Sequence, residues 1–289
     1  MIGRRAMLAL PAILAPSIGR AALPTGSGRM EVPEPSGEAG PLPVWFHRPT
    51  AWRPGGPVVA VMHGLNRDAD AYRDAWAPHA ERHGFLLVVA EFSRAKYPGV
   101  AWYNFGGAVT EQGQPRPRAA WSFFALDRAV TAVQREAGAA EGNFALYGHS
   151  AGAQFVHRYL LLTGAPRVSR LIVANAGSYT LPDLARPFPE GLAGPAVTAA
   201  DLRSAFGRPV TILLGEADTD PNHASLPRQP FAQAQGPHRF ARGIFFFDAS
   251  RRAAAQAGVA FAWRLSTVPG VAHSNTGMAV AAAPLLAAG

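Results

Sequence analysis

The chain of 289 residues contains no cysteine and a single lysine, Lys96. Without cysteine it can form no disulfide, no thiolate nucleophile and no cysteine-ligated zinc site. Charged residues make up only 16% of the sequence, and the basic ones are mostly arginines scattered along it, so the net charge of +8 is not a nucleic-acid-binding footprint. No apolar run reaches the roughly 18 residues of a membrane-spanning helix. What remains, with 48% hydrophobic residues, is a globular protein.

The first 21 residues have the three-part layout of an export signal. Arg4 and Arg5 precede the apolar stretch 6–18, and Gly19-Arg20-Ala21 then offers small residues at the cleavage positions. The arginine pair is similar to a twin-arginine signal, with ordinary secretion as the alternative. Prolines inside the stretch disfavour a short buried helix. We therefore expect an exported protein, periplasmic or extracellular in a bacterium.

The domain boundaries follow from this signal. We predict an export signal over 1–21, a linker over 22–28 and one domain over 29–289. Removing the three arginines of the signal leaves 24 basic against 19 acidic residues, a net charge of +5. The oligomeric state is left open by the sequence.

Strand patterns alternate with helix patterns along the predicted domain. Two edge strands, predicted to pair antiparallel, are followed by buried apolar runs of the parallel type. The predicted strands are 29–32, 42–47, 57–62, 85–92, 143–148, 170–174, 210–214 and 260–267. The predicted helices are 69–83, 119–137, 151–162, 240–257 and 276–288. This alternation predicts an α/β fold, a mostly parallel twisted sheet with helices on both faces.

Three connections are longer than an ordinary α/β loop: 93–118, 177–207 and 219–239. Each leaves the carboxyl end of a predicted strand, where open α/β sheets bind ligands. We expect these loops to form a lid over the strand ends. Trp102, Tyr103, His149 and Tyr179 are candidate substrate-pocket residues near them.

The pentapeptide Gly148-His149-Ser150-Ala151-Gly152 joins a buried strand directly to a helix. Chance alone would place such a pentapeptide in about one chain in seven of this composition, so its context carries the argument. A tight strand-to-helix turn strains the backbone and leaves the serine hydroxyl exposed, and the flanking glycines remove side chains that would collide. Ser150 is therefore the candidate nucleophile.

A serine nucleophile needs a histidine base and a carboxylate that orients the histidine. His273 is the histidine that follows a strand downstream of the acid candidates. Asp218, just after the strand 210–214, is the preferred acid, with Asp220 and Glu216 as rivals. His223 and His238 are better interpreted as loop or pocket residues.

Backbone amides should stabilise the oxyanion. The amide of Ala151 is one candidate, and the amide of Leu65, in the turn after strand 57–62, is the other. His63 in the same turn is interpreted as loop support. His79 and His83 have helical ligand spacing but no carboxylate cluster beside them, so we predict neither a metal nor a cofactor.

Together these residues resemble the α/β-hydrolase superfamily over nearly the whole predicted domain. Within it, the export signal, the His63-Gly64 turn and the pentapeptide are similar to secreted serine esterases, the branch with poly(3-hydroxybutyrate) depolymerases and feruloyl esterases. Members of that branch often carry disulfides, which this chain cannot form, so a small ester is as good a candidate substrate as an oligomer. The resemblance implies a carboxylic ester hydrolase. An acyltransferase, an amide or peptide hydrolase and a non-catalytic binding protein are the alternatives.

Overall fold

The structure, a computed structural model, describes residues 23–287. Eight strands form one sheet in the order β1-β2-β4-β3-β5-β6-β7-β8. The strands are β1 (Gly26–Val32), β2 (Leu42–Arg48), β3 (Val58–Met62), β4 (Leu86–Ala90), β5 (Phe144–His149), β6 (Val168–Ala174), β7 (Val210–Gly215) and β8 (Trp263–Val268). β1 and β2 run antiparallel and β2 pairs antiparallel with β4, whereas all other pairs are parallel. The predicted α/β architecture with an antiparallel start is confirmed.

Helices cover both faces of the sheet. They are α1 (Ala69–His83), α2 (Gly99–Trp102), α3 (Phe123–Glu136), α4 (Ala151–Thr163), α5 (Ala199–Phe206), α6 (Pro230–Gln233), α7 (Arg239–Gln256) and α8 (Asn275–Ala287). Side chains of a strand alternate between the faces. In β3, for example, Val59 and Val61 pack with α1 and α8, whereas Ala60 and Met62 join the core formed with α3, α4 and α7.

The structure corrects several predicted boundaries, among them the start of the predicted helix 119–137, which begins at Phe123. β1 begins at Gly26, so the predicted linker 22–28 contributes three residues to the sheet, where they pair with Phe46, His47 and Arg48. The last strand begins at Trp263 rather than at Ala260. The predicted export signal lies outside the described residues. Among residues 23–287, no helix combines the length and hydropathy that a membrane crossing requires.

The three long loops leave β4, β6 and β7 at their carboxyl ends, as predicted, and contain the short helices α2, α5 and α6. These helices were not predicted. α5 begins with a capping box, because the Thr198 hydroxyl accepts from the amide of Asp201 and the Asp201 carboxylate accepts from the amide of Thr198. The carboxyl ends of the parallel strands β3 to β8 therefore lie at one edge of the sheet, and the three long loops leave from it.

Candidate active site

Ser150 stands in a strained turn between β5 and α4. Its backbone has φ 58° and ψ −115°, outside the regions that non-glycine residues ordinarily adopt. A Cβ added to Gly148 would lie 2.4 Å from the carbonyl oxygen of Gly152, and one added to Gly152 would lie 2.2 Å from that of Met62. The two glycines thus allow α4 to start against β3 and β5, which holds the serine at the sheet edge.

Three side chains that are far apart in sequence meet at this turn. The Ser150 hydroxyl lies 2.9 Å from His273 Nε2, and His273 Nδ1 lies 2.8 Å from Asp218 Oδ2. With the proton on Nδ1, the imidazole donates to the carboxylate and accepts from the serine. Asp218 is buried at the end of β7, and His273 follows β8. The preferred residues of the sequence prediction are therefore the ones brought together.

The rival acids point elsewhere. Glu216 accepts a hydrogen bond from the hydroxyl of Thr267 on β8. Asp220 accepts from the amide of Asn222, which is turn chemistry. Neither side chain bonds to His273.

His273 is held neutral and tightly oriented. Burial lowers its pKa below the ordinary value, the hydrogen bond to Asp218 raises it, and the positive charge of Arg239 lowers it again, with a net lowering. The ring lies between His149, at 4.6 Å between centroids, and His223, at 5.2 Å. A neutral imidazole is the form that can accept a proton from the serine.

Asn175 is a positioning residue that the sequence prediction missed. It follows β6 with φ 50° and is fully buried. Its Oδ1 accepts a hydrogen bond from the amide of Gly215, the last residue of β7, and its Nδ2 donates to the carbonyl of Ala272, the neighbour of His273. The Asn175 side chain thus connects the segment that carries Asp218 to the segment that carries His273. Asparagine tolerates the left-handed backbone better than most residues, and its place at a strand end was the available signal.

Two backbone amides beside the serine turn, those of Leu65 and Ala151, belong to residues that line one cavity with Ser150. Neither the Leu65 nor the Ala151 amide hydrogen-bonds to any described residue. The Leu65 turn is fixed from both sides, since the hydroxyl of Tyr103 donates to the carbonyl of His63 at 2.6 Å and Arg94 donates to the carbonyl of Leu65 at 2.9 Å. Gly64 makes room for the hydroxyl of Tyr72, which a Cβ would approach to 2.9 Å.

Two cavities of about 420 Å³ each share Ser150, Leu65 and Ser225. All three long loops contribute to what we call the loop-side cavity. Its lining is Leu65, Val100, Asn104, Phe105, Ser150, Ala151, Gln154, Gly177, Ser178, Pro189, Ser225, Pro227, Gln229 and Phe231. The histidine-side cavity is lined by Gly64, Leu65, Asn66, Asp68, Tyr72, His149, Ser150, His223, Ser225, His273 and Asn275. The loops therefore wall the site, while their closing as a lid stays a prediction.

The candidate pocket residues divide between lining and core. His149 lines the histidine-side cavity. Trp102, Tyr103 and Tyr179, which the sequence prediction placed in the pocket, lie outside both linings. Tyr103 is fully buried because it stacks on His63, and Tyr179 because it stacks on Phe246. These two tyrosines pack into the core beneath their loops, whereas their loop neighbours Asn104, Phe105 and Ser178 line the loop-side cavity.

No group of three or more His, Asp or Glu side chains within residues 23–287 is arranged to hold a metal ion. A larger groove, of about 540 Å³, lies between β1 and α3 and includes neither Ser150 nor His273 in its lining. The serine turn is therefore where strained backbone, the Ser150–His273–Asp218 chain and cavities coincide.

An eight-stranded α/β sheet with a serine at a strand-to-helix turn defines an α/β hydrolase, and comparison with solved structures agrees. Poly(aspartic acid) hydrolase-1 from Sphingomonas sp. KT-1 is 43% identical, with a TM-score of 0.87 over 91% of this chain and 99% of that one. LpqC, a poly(3-hydroxybutyrate) depolymerase from Bordetella parapertussis, is 38% identical, with a TM-score of 0.83 over 90% and 89%. The chain belongs to the α/β-hydrolase superfamily.

A third structure shows the same fold at a greater distance. The S-formylglutathione hydrolase from Agrobacterium tumefaciens is 16% identical, with a TM-score of 0.56 over 90% of this chain and 92% of that one. No protein-family model and no curated protein matches the sequence. Poly(aspartic acid) hydrolase-1 and LpqC, both more than 30% identical to this chain, are hydrolases, which supports hydrolytic activity for this chain.

Proposed function

We propose that the protein hydrolyses carboxylic esters through an acyl-enzyme formed on Ser150. The observation that carries this proposal is the continuous hydrogen-bonded chain from Ser150 through His273 to the buried Asp218, at the strand ends and beside two cavities. The superfamily and the two hydrolase relatives supply the reaction class.

The proposed reaction has two halves. Ser150 Oγ attacks the ester carbonyl carbon while its proton passes to His273 Nε2, and the carbonyl oxygen becomes an oxyanion that the amides of Leu65 and Ala151 stabilise. The bond to the alcohol oxygen then breaks, and His273 returns the proton to the departing alcohol. In the second half His273 takes a proton from water, the hydroxide attacks the acyl-enzyme, and the acid leaves as Ser150 regains its proton.

Asp218 orients the imidazole and stabilises its cation during both halves. Its carboxylate fixes the proton on Nδ1, which leaves Nε2 free to accept from the serine. Burial of the carboxylate strengthens this interaction because little water screens it.

The acyl group is proposed to occupy the loop-side cavity and to be uncharged. Leu65, Val100, Phe105, Pro189 and Phe231 give this cavity a largely apolar wall, and none of its lining residues carries a formal charge. Poly(aspartic acid) carries a carboxylate on every unit, so this lining favours a neutral ester over that acidic polyamide. A 43% identical poly(aspartic acid) hydrolase nevertheless makes amide hydrolysis the second candidate function.

Replacing the proposed nucleophile tests the mechanism. Ser150→Ala should lower kcat/KM for p-nitrophenyl butyrate by at least about 10⁴-fold, since nucleophile and base act as one unit. A fluorophosphonate probe should label the wild type and fail to label the variant. Ser204→Ala is the matched control, because Ser204 is exposed on α5 and lines neither cavity. Undiminished turnover by the Ser150 variant contradicts the proposal.

A substrate pair separates ester from amide hydrolysis. We expect p-nitrophenyl butyrate to be cleaved far faster than the corresponding p-nitroanilide, and poly(aspartic acid) to release no new amine ends. Comparable rates on the anilide, or chain scission of the polymer, would favour the amide hydrolase. Transfer of the butyryl group to an added alcohol in place of water would indicate an acyltransferase.

We also propose that residues 1–21 direct export, on the layout of Arg4, Arg5 and the apolar stretch after them. Expression of the full chain in a bacterium should give a periplasmic or secreted product that begins near residue 22. N-terminal sequencing of the purified protein tests this. An intact N-terminus on a cytoplasmic product would contradict it.

A further inference from the structure

The two cavities beside Ser150 differ in chemistry. The histidine-side cavity is lined mainly by hydrogen-bonding groups, among them Asn66, Tyr72 and Asn275. Its lining also includes Asp68, whereas the loop-side lining has no Asp, Glu, Lys or Arg. Among the described residues that line either cavity, Asp68 is thus the one acidic residue. No Lys or Arg is present in either lining.

No hydrogen bond or ion pair within residues 23–287 involves the Asp68 carboxylate. Asp68 occupies the N-cap position of α1, yet its side chain forms no capping hydrogen bond, and its Oδ1 is buried with no donor within the described part of the chain. An aspartate at this position ordinarily caps the helix. Here the carboxylate is left for another partner.

The nearby arginines are committed elsewhere. The guanidinium of Arg67 donates to the carbonyls of Phe92, Tyr97 and Gly99 and lies 4.1 Å from the ring of Tyr103. Arg94 donates to the carbonyl of Leu65. Neither arginine forms a salt bridge with Asp68, which takes part in none of the salt bridges among the described residues.

Asp68 is close to the proposed catalytic base. Its charge raises the pKa of Tyr72, second to burial as a cause. The Tyr72 hydroxyl lies 3.2 Å from His149 Nδ1, and the His149 ring is tilted against that of His273, with 4.6 Å between the ring centroids. Asp68, Tyr72, His149 and His273 therefore line the same cavity beside Ser150.

The chemistry decides which part of a substrate enters that cavity, and this step rests on the proposed function. His273 Nε2 must hand its proton to the atom that leaves the carbonyl carbon. The leaving group therefore lies on the His273 side of Ser150. The acyl group then takes the other cavity.

We infer that Asp68 selects substrates whose leaving group carries a positive charge, such as an ammonium-bearing alcohol. A carboxylate without an ion-pair partner attracts a cation and repels an anion, and a partly enclosed cavity screens it less than open water does. The neutral loop-side cavity imposes no corresponding charge requirement on the acyl group.

Two butyrate esters of nearly equal shape test this inference. Butyrylcholine has a cationic leaving group, and 3,3-dimethylbutyl butyrate replaces its nitrogen with carbon. We expect the wild type to show about a tenfold higher kcat/KM on the choline ester, a typical ratio for one charge contact. In Asp68→Asn the ratio should fall to near one through a loss on the choline ester alone.

Asp70→Asn is the matched control. Asp70 is exposed in the first turn of the same helix and lines neither cavity, so the same charge is removed without changing the site. This variant should keep the wild-type ratio. Asp68→Ser provides a second neutral side chain able to cap α1, so poor folding of one Asp68 variant leaves the other available.

The outcomes distinguish this inference from the proposed function. If no ester is turned over, the proposed function fails. If both esters are turned over but the wild type shows no preference, or if both Asp68 variants keep its preference, the inference is wrong. Equal losses on the two esters would also overturn it, because they indicate a structural role for Asp68.

Discussion

Arg239 places a buried positive charge beside the proposed catalytic acid. Both side chains are at most 3% exposed, and Arg239 Nη1 lies 3.6 Å from Asp218 Oδ1, while Oδ2 of the same carboxylate receives His273. Arg239 Nη2 also donates to the hydroxyl of Ser225, a residue that lines both cavities. The Arg239 guanidinium thus links Asp218 to the cavity wall at Ser225, and its charge lowers the pKa of His273.

Removing this charge should shift the pH dependence of activity. In Arg239→Met the cation that lowers the pKa of His273 is gone, so that pKa rises. The imidazole must be neutral to accept the serine proton, and a higher pKa means that it becomes neutral only at higher pH. The acidic limb of the kcat/KM profile should therefore move toward alkaline pH.

Arg239→Lys, which keeps the charge, should keep most of the wild-type profile. Arg251→Met is the surface control, since Arg251 is exposed on the same helix. An acidic limb that stays in place in Arg239→Met, in a protein that is still folded by circular dichroism, would show that Arg239 does not act on His273. Leaving Asp218 without this cation should also lower the free energy of unfolding, by up to about 3–5 kcal/mol.

At the scale of elements, the junction of β5 and α4 depends on the absence of two side chains. Gly152 lies in the first turn of α4, against the carbonyls of Met62 and His63 at the end of β3. The backbone cannot yield there without moving either the helix or the turn that carries the Leu65 amide. Helix position and the proposed oxyanion site are therefore coupled through one contact.

Gly152→Ala should push the start of α4 away from the end of β3. The added methyl would lie 2.2 Å from the carbonyl oxygen of Met62, so α4 must shift, with a loss of about 1–3 kcal/mol in the free energy of unfolding. Activity should fall more steeply than stability, because Ser150 moves with the helix. Urea unfolding and kcat/KM measure the two effects.

Gly207→Ala is the companion variant. Gly207 ends α5 with an ordinary φ of −79°, and an added Cβ would come no closer than 3.6 Å to any neighbour. We expect almost no change in stability or activity. Equal behaviour of the two variants would mean that the close approach of α4 to β3 is not needed.

The elements that the sequence predicts well are those with strong local signals. α1 was predicted over its full observed range because its apolar spacing ends at Gly84, which caps the helix in the left-handed conformation. The buried strands carried unbroken apolar runs. The three short helices in the loops were missed because helices of one or two turns carry too little periodicity to detect, although the Thr198-x-x-Asp201 capping box at the start of α5 was a usable sign.

The positions of the three proposed catalytic residues could be predicted because they depend on the order of strands along the chain. Ser150, Asp218 and His273 each follow a strand of a parallel sheet, so topology alone brings them to one edge. Cavity lining depends instead on which loop side chain turns inward, a choice made by packing. Tyr103 and Tyr179 filled the core, whereas Asn104 and Ser178 reached the cavity.

Over the whole molecule, buried histidines attach the loops of the site to neighbouring parts of the fold. Phe92 donates its amide to His63 Nε2, and His63 Nδ1 bonds to the carbonyl of Gly64. His157 on α4 repeats the pattern, since Thr180 donates its amide to Nε2 and Nδ1 bonds to the carbonyl of Ala153. Each imidazole uses one nitrogen as acceptor and one as donor, which only the neutral form can do.

Acid should therefore weaken the fold in a defined window. Burial lowers the pKa of His63 to about 3 and those of His149 and His157 well below the ordinary value of 6.5. Below pH 6.5 these histidines bind protons in the unfolded chain but stay neutral in the folded protein, so the free energy of unfolding falls as pH falls. Each such histidine contributes a slope of up to about 1.4 kcal/mol per pH unit.

Urea unfolding between pH 6.5 and pH 5 measures this slope, above the range in which ordinary carboxylates titrate. His157→Leu should be less stable at every pH, because two hydrogen bonds are lost, yet its slope should be shallower by about one histidine's share, since one proton fewer is taken up on unfolding. A variant that keeps the full wild-type slope would show that His157 is not among the histidines that make the fold acid-sensitive. If the wild type itself shows no slope in this window, the buried imidazoles accept protons in the folded state. A cationic imidazole has no acceptor nitrogen for the amides of Phe92 and Thr180, so the proposed role of these histidines in fixing the loops would be wrong.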